Sequence, residues 1–267
     1  MLEPLLQPLA AVGLDVVGYA DVASWDAHVG PARQSATLAP GARSILVIGN
    51  GGGTMWPHFV EDLRRDTRGL TEEANPLDAY VRRTILAADA ALGTTPRRWF
   101  FASADAELHL DFRLLAGLAG LGTQSRLGLL IHPKWGTWIG LRAACFLPVE
   151  AAKMPSVPDV CDGCAAPCVA ACAGSAFPDG RWDVGRCATF HTESPVCERT
   201  CGSRLACPVG EENRYSSTQF AYHYHRESGR RALREVLGLP GRADPHEGAG
   251  PFWGTWKGRV DVAGKPG

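Results

Sequence analysis

The spacing of apolar residues changes along the chain and divides it into helices and strands. Leu2, Leu5, Leu6, Leu9 and Val12 recur at near-helical intervals up to Gly13, so residues 2–12 predict a helix and residues 16–22 a short strand. Residues 44–48 (SILVI) are a continuous run of mostly branched apolar side chains closed by Gly51-Gly52-Gly53. That pattern predicts a buried strand entering a tight loop, a candidate ligand contact. A helix is expected from Pro76 to Leu92, with Asn75 and Pro76 starting it and Gly93 ending it; Leu77, Tyr80, Val81, Ile85 and Leu86 form its apolar stripe. Residues 97–104 suit a strand and 112–118 a helix that Gly120-Leu121-Gly122 breaks. Residues 128–131 and 137–146 read as the two strands of a hairpin, with His132-Pro133-Lys134-Trp135-Gly136 as its turn.

Pro148, Pro155 and Pro158 mark a linker, beyond which periodicity fades and cysteines dominate. The expected organisation is an α/β domain over residues 1–150, a cysteine-rich unit over 151–212 and a last segment, 213–267. That segment is expected to hold one helix at 215–237, with Arg230, Arg231 and Arg234 on a basic face, and a tail rich in Gly and Pro. At 267 residues, 45% hydrophobic and 21% charged, the chain has the composition of an ordinary globular protein. A net charge of -1 gives no field for a dedicated nucleic-acid binder. There is no run of about eighteen apolar residues, and residues 1–12 lack a positive n-region, so a cytoplasmic protein that does not enter a membrane is expected. In a reducing compartment, cysteines read as metal ligands or catalytic groups before they read as disulfides.

Eight of the nine cysteines fall in one segment: Cys161, Cys164, Cys168, Cys172, Cys187, Cys197, Cys201 and Cys207. A cubane iron-sulfur cluster takes four thiolates, so eight suit two 4Fe-4S clusters. The first group runs C-x2-C-x3-C-x3-C, one residue longer than the bacterial ferredoxin pattern and without its closing Pro, whereas Cys207-Pro208 carries that signature. In two-cluster ferredoxins the fourth cysteine of a run serves the other cluster. Crossing the pattern over in that way pairs Cys161, Cys164, Cys168 and Cys207 on one cluster, and Cys172, Cys187, Cys197 and Cys201 on the other. Four-thiolate zinc sites use similar spacings and are the alternative. Cys145, in a strand-like run, reads as a small buried hydrophobe.

With these cysteines, four stretches resemble the epoxyqueuosine reductase family: residues 38–50 (LAPGARSILVIGN), 119–122 (AGLG), 129–138 (LLIHPKWGTW) and 171–194 (ACAGSAFPDGRWDVGRCATFHTES). The similarity runs in order over residues 5–215. It implies an α/β fold in which a mixed-sheet cobalamin-binding-like domain is followed by a small two-cluster ferredoxin-like domain. It also implies two 4Fe-4S clusters and a cobalamin as cofactors, an external electron donor such as a flavodoxin or ferredoxin, and reduction of a small-molecule or nucleoside substrate. The family's acidic proton donor falls on Asp105, with Glu107 and Asp111 nearby, and cofactor contacts fall on Gly120, Gly122 and Arg126.

The sequence departs from the family in three places. Thr123-Gln124-Ser125-Arg126-Leu127 replaces the family's WIGKN and keeps only a basic residue, at Arg126. The carboxy-terminal helical repeats used with tRNA have no counterpart after Gly238, which argues against tRNA as substrate. Gly51-Gly52-Gly53 with Trp56, Pro57 and His58 also differs from the family; it reads as a loop in which Trp56 either stacks on a flat ligand or packs inward. Two alternatives stand beside an enzyme: a cobalamin-processing carrier, and a ferredoxin-like electron-transfer module without corrinoid.

Overall fold

The computed structural model describes residues 2–103, 106–151, 154–197, 200–224 and 226–239. Its strands are β1 (Val16–Asp21), β2 (Ser44–Gly51), β3 (Arg98–Phe101), β4 (Thr123–Gln124), β5 (Leu130–Ile131) and β6 (Ile139–Leu147). The main sheet has the order β1-β2-β6-β3. Every pairing in it is antiparallel, which corrects the expected mixed sheet. An apolar run shows that a strand is buried but carries no information about the direction of its neighbour.

All eight residues of β2 are buried, since helices cover both faces of the sheet. On one face, Leu46 and Ile48 join Leu5 and Leu9 of the helix Glu3–Ala11, Phe59 and Leu63, and Leu77, Val81 and Ile85. On the other, Ile45 and Val47 meet Trp25, Phe100, Leu115 and Phe146. Alternation along one strand thus feeds two cores. Cys145 is fully buried in the first of them.

The helices Pro76–Asp89 and Phe112–Leu118 form where the sequence placed them, the first running on into a short 3-10 turn, Ala90–Leu92. Trp56–Arg65, however, is a helix and not a loop. Its buried residues Trp56, Phe59, Val60 and Leu63 follow helical spacing, and Pro57 sits in the first turn, where its missing N–H costs nothing. His58 is exposed on this helix.

The expected hairpin does not form. β5 pairs with β4 in a separate two-stranded sheet, and β6 pairs with β2 and β3, although His132 and Gly136 bridge across the turn. The single helix expected at 215–237 is two, Ser217–Tyr224 and Arg226–Val236, folded against each other. A Cβ on Gly229 would lie 2.2 Å from the Cα of Tyr222, so only glycine allows this approach. The pair packs back onto the first core through Leu233 and Tyr222. Nor do the three arginines make one basic face. Arg230 and Arg234 are buried, with Arg230 donating to the carbonyls of Leu70 (2.5 Å) and Glu73 (3.1 Å), and only Arg231 is exposed. The tail expected after Gly238 lies outside the described residues from residue 240 on.

Candidate functional site

The cysteine-rich segment is built from short helical turns. Cys161 lies in a turn whose Asp159 carboxylate accepts its N–H at 2.9 Å, and Cys168 sits in the helix Pro167–Ala170 with Cys172 just beyond it. Cys187 is on the helix Val184–Glu193, Cys197 closes the turn Pro195–Cys197, and Cys201 is the N-cap of the helix Gly202–Leu205, which Cys207 follows. All are free thiols.

Electrostatic coupling divides these thiols into two sets. Burial raises the pKa of Cys168, and the charges of Cys207, Cys161 and Cys164 raise it further; burial likewise raises Cys207, with Cys161 and Cys164 adding. Cys197 is pushed up to about 11 by burial, then by Cys201, Cys187 and Cys172, while Cys187 is raised by burial with Cys201 and Cys172. No thiol of one set contributes to these shifts in the other. Among the described residues, no three His, Cys, Asp or Glu side chains are arranged to hold a single metal ion.

Two backbone amides point at the sulfurs. The amide of Ala166 approaches Cys164 Sγ at 3.4 Å and that of Ala176 approaches Cys172 Sγ at 3.3 Å. Trp182 opposes the rise in the Cys187 pKa, and the Tyr224 pKa is raised by burial first and then by the charge of Cys201. Trp182 and Tyr224 were not among the sequence candidates. Trp182 has a local signal, five residues before Cys187, but Tyr224 comes from a helix more than twenty residues away and has none.

A cavity of about 610 Å³ opens beside the first set, lined by Cys161, Asp159, Asp162 and Trp182 on one side and by Ser125, Arg126 and Gly128 on the other. Arg126 is therefore next to a cysteine of the first set, exposed at the cavity. Gly120 and Gly122 face the protein itself. They adopt φ of +68° and +139°, and a Cβ would meet the Pro155 carbonyl oxygen at 2.8 Å and that of Ile131 at 2.4 Å. Asp105 lies outside the described residues. Of its neighbours, Asp111 caps the helix Phe112–Leu118, accepting from the amides of Arg113 and Leu114 at 3.0 Å, and Glu107 is exposed.

The glycine run after β2 is filled from within. A Cβ on Gly51 would fall 2.2 Å from the Trp135 ring, and Trp56 packs on Phe59, Tyr222 and His223. Neither offers a free face. His223 is held well below its ordinary pKa by burial and by the cations Arg142 and Arg204, so it is neutral.

No family profile and no curated protein matches the sequence. Solved structures do match. Epoxyqueuosine reductase from Bacillus subtilis aligns over 80% of this chain and 66% of its own, at 15% identity and a TM-score of 0.54. The likeness is one of fold. The Streptococcus thermophilus epoxyqueuosine reductase aligns over 88% of this chain and 74% of its own, with 14% identity and a TM-score of 0.51. A C. elegans B12-trafficking protein, CblC, aligns over 90% of this chain and 97% of its own, with 13% identity and a TM-score of 0.60. This chain spans about two thirds of the length of the Bacillus subtilis reductase. Within the described residues no helix is long and apolar enough to cross a membrane.

Proposed function

We propose that this chain is an iron-sulfur redox protein, with one 4Fe-4S cluster on Cys161, Cys164, Cys168 and Cys207 and a second on Cys172, Cys187, Cys197 and Cys201. The observation that carries the reading is the division of eight thiols into two mutually interacting sets of four. The donor chemistry fits the group: all eight ligands are thiols, and the amides of Ala166 and Ala176 are aimed at the sulfurs of Cys164 and Cys172. A cage of iron and sulfide stands between its four thiolates, which therefore do not meet at one point as they would on zinc. When bound, such clusters supply one-electron transfer. The protein's own part is to hold the thiolates, donate hydrogen bonds to them and limit solvent access.

The fold shared with epoxyqueuosine reductase and with a B12-trafficking protein supports a corrinoid as the electron acceptor to test first. The glycine run and Trp56 do not fit a corrinoid, because the protein's own rings occupy them, and no chemical step is assigned through one. That same observation favours a second reading, an electron-transfer module without corrinoid.

Anaerobic purification followed by iron, sulfide and corrinoid analysis of one sample tests the proposal. About eight irons with matching sulfide are expected. Zinc without sulfide would reject the clusters. A titration with hydroxocobalamin then separates the two readings: a spectral shift at micromolar concentration supports the corrinoid acceptor, and an unchanged spectrum supports the electron-transfer module.

A further inference from the structure

The turn that follows β5 is held at its tip by a histidine. His132 Nδ1 lies 3.0 Å from the amide nitrogen of Lys134 and 3.2 Å from that of Trp135. Both amides donate, so this nitrogen is the acceptor of the ring and carries no proton. The base of the turn closes separately, with the His132 amide on the Gly136 carbonyl at 2.9 Å and the Gly136 amide on the His132 carbonyl at 2.8 Å. The side chain therefore fixes only the tip, as an asparagine oxygen does in an Asx turn.

What the tip touches lies just past Cys207. The Lys134 carbonyl accepts from Asn213 Nδ2 at 2.9 Å. Gly210, at φ +69°, has no room for a Cβ, which would meet the Trp135 carbonyl carbon at 2.4 Å, and a Cβ on Gly136 would fall 1.9 Å from the Val209 carbonyl oxygen. The Trp135 ring itself lies against Gly51, in β2, where a Cβ would fall 2.2 Å from Cε2. The tip thus clasps residues 209–213 to the α/β domain.

The half-buried imidazole has no carboxylate partner among the described residues. Lys134, on the same turn, holds its ammonium 4.4 Å from the centre of the Trp135 ring. β4, which pairs with β5, brings Thr123 and Gln124 and no charge. In the clasped segment, Glu211 pairs with Arg214 at 2.9 Å and Glu212 accepts from Asn213 Nδ2 at 2.9 Å. Burial, with the Lys134 charge adding, holds the His132 pKa below its ordinary value of 6.5.

We infer that His132 is a pH-sensitive latch: protonation of Nδ1 frees the tip of this turn and loosens the segment after Cys207 from the α/β domain. The step moves one proton from solvent to Nδ1 and breaks no covalent bond. The new N–H then faces the two amide N–H groups from which the nitrogen had accepted. Because the folded chain binds this proton less readily than the unfolded one, the clasp is complete above about pH 6.5 and is lost as the pH falls below that, through the lowered value of the folded state. The latch goes beyond the iron-sulfur reading and works with or without iron.

Amide hydrogen exchange at stepped pH, from about 8 to about 5, on wild type, His132→Asn and His132→Phe tests it. Protection is taken relative to unstructured peptide at the same pH, which removes the intrinsic pH dependence of exchange. Asparagine places an amide oxygen where Nδ1 stood and does not titrate; phenylalanine keeps a ring and offers no acceptor. In wild type, Lys134 and Trp135 are expected to lose protection as the pH falls, and Asn213 and Arg214 to lose it over the same range. His132→Asn should keep protection throughout, and His132→Phe should lack it even at the highest pH. If His132→Phe fails to fold, the comparison of wild type with His132→Asn carries the test alone. Wild type that stays protected at the lowest pH, wild type and His132→Asn with the same profile, or loss at the tip alone would each overturn the latch. A sample without sulfide rejects the clusters and leaves this comparison intact.

Discussion

The guanidinium of Arg204 lies 4.4 Å from the centre of the Trp138 ring. Arg204 belongs to the short helix between Cys201 and Cys207, and Trp138 is fully buried just before β6, so this one contact pins the cysteine-rich segment to the α/β domain. Tyr215 and Phe220 complete the aromatic seat, and Arg204 also donates to the carbonyl of Thr137 at 2.6 Å.

Desolvated cation-π contacts contribute about 2 kcal/mol or more, and a lysine cannot reproduce a planar guanidinium stacked on rings. Arg204→Ala is expected to lower stability by roughly that amount, and Arg204→Lys to recover only part of the loss. Chemical denaturation measures the size. Limited proteolysis should show new cleavage within residues 154–210 of the alanine variant, and an uncut segment would show that the contact is not the anchor.

Gly229→Ala tests the packing of the two terminal helices. The added methyl would collide with the backbone of Tyr222 and with the Ala221 carbonyl, neither of which can rotate away. Overpacking of this kind costs roughly 1–3 kcal/mol. A midpoint of urea unfolding equal to that of the wild type would mean that the helices separate without cost.

Cys145 gives a pH signature. Burial, with Asp89 adding and Arg97 opposing, pushes its thiol up to about 12 from an ordinary value of 9.0. The folded state holds this proton more tightly than the unfolded chain does. Its contribution to stability is therefore complete below about pH 9 and is lost as pH rises towards about 12. Wild type should lose stability over that window faster than Cys145→Ala, measured by denaturant unfolding at stepped pH. Iodoacetamide at neutral pH should leave Cys145 unmodified in the native protein.

The grouping of thiols predicts how iron is lost. Cys207 is close in sequence to Cys201 but interacts with Cys161 and Cys164. Cys161→Ser and Cys207→Ser are each expected to remove about four of about eight irons, and the double variant no more than either alone. Combining Cys207→Ser with Cys187→Ser should remove both clusters. Iron counting on anaerobic samples distinguishes these outcomes; additive loss from Cys161 and Cys207 would place them on different clusters.

Spacing alone placed strands at 16–22 and 44–48 and helices at 2–12, 76–92 and 112–118, and the structure has elements at 16–21, 44–51, 3–11, 76–89 and 112–118, because an element that buries one face or both must repeat its apolar residues at that element's own period. It also exposed the concentration of cysteines, a matter of residue type and interval. What it could not supply is the partner of each face. The expected hairpin failed because β6 found β2 and β3 across more than forty residues of chain, and the stripe of Trp56, Phe59, Val60 and Leu63 was hidden by the Gly, Pro and His around its start. Arg230 and Arg234 read as part of a basic face, but Arg230 donates to the distant carbonyls of Leu70 and Glu73 and Arg234 to that of Leu239, just past its own helix. Which thiols share a set is likewise a tertiary fact. A sequence period records which side of an element avoids water, whereas hydrogen bonds and charge contacts between distant segments exist only after the chain has closed on itself.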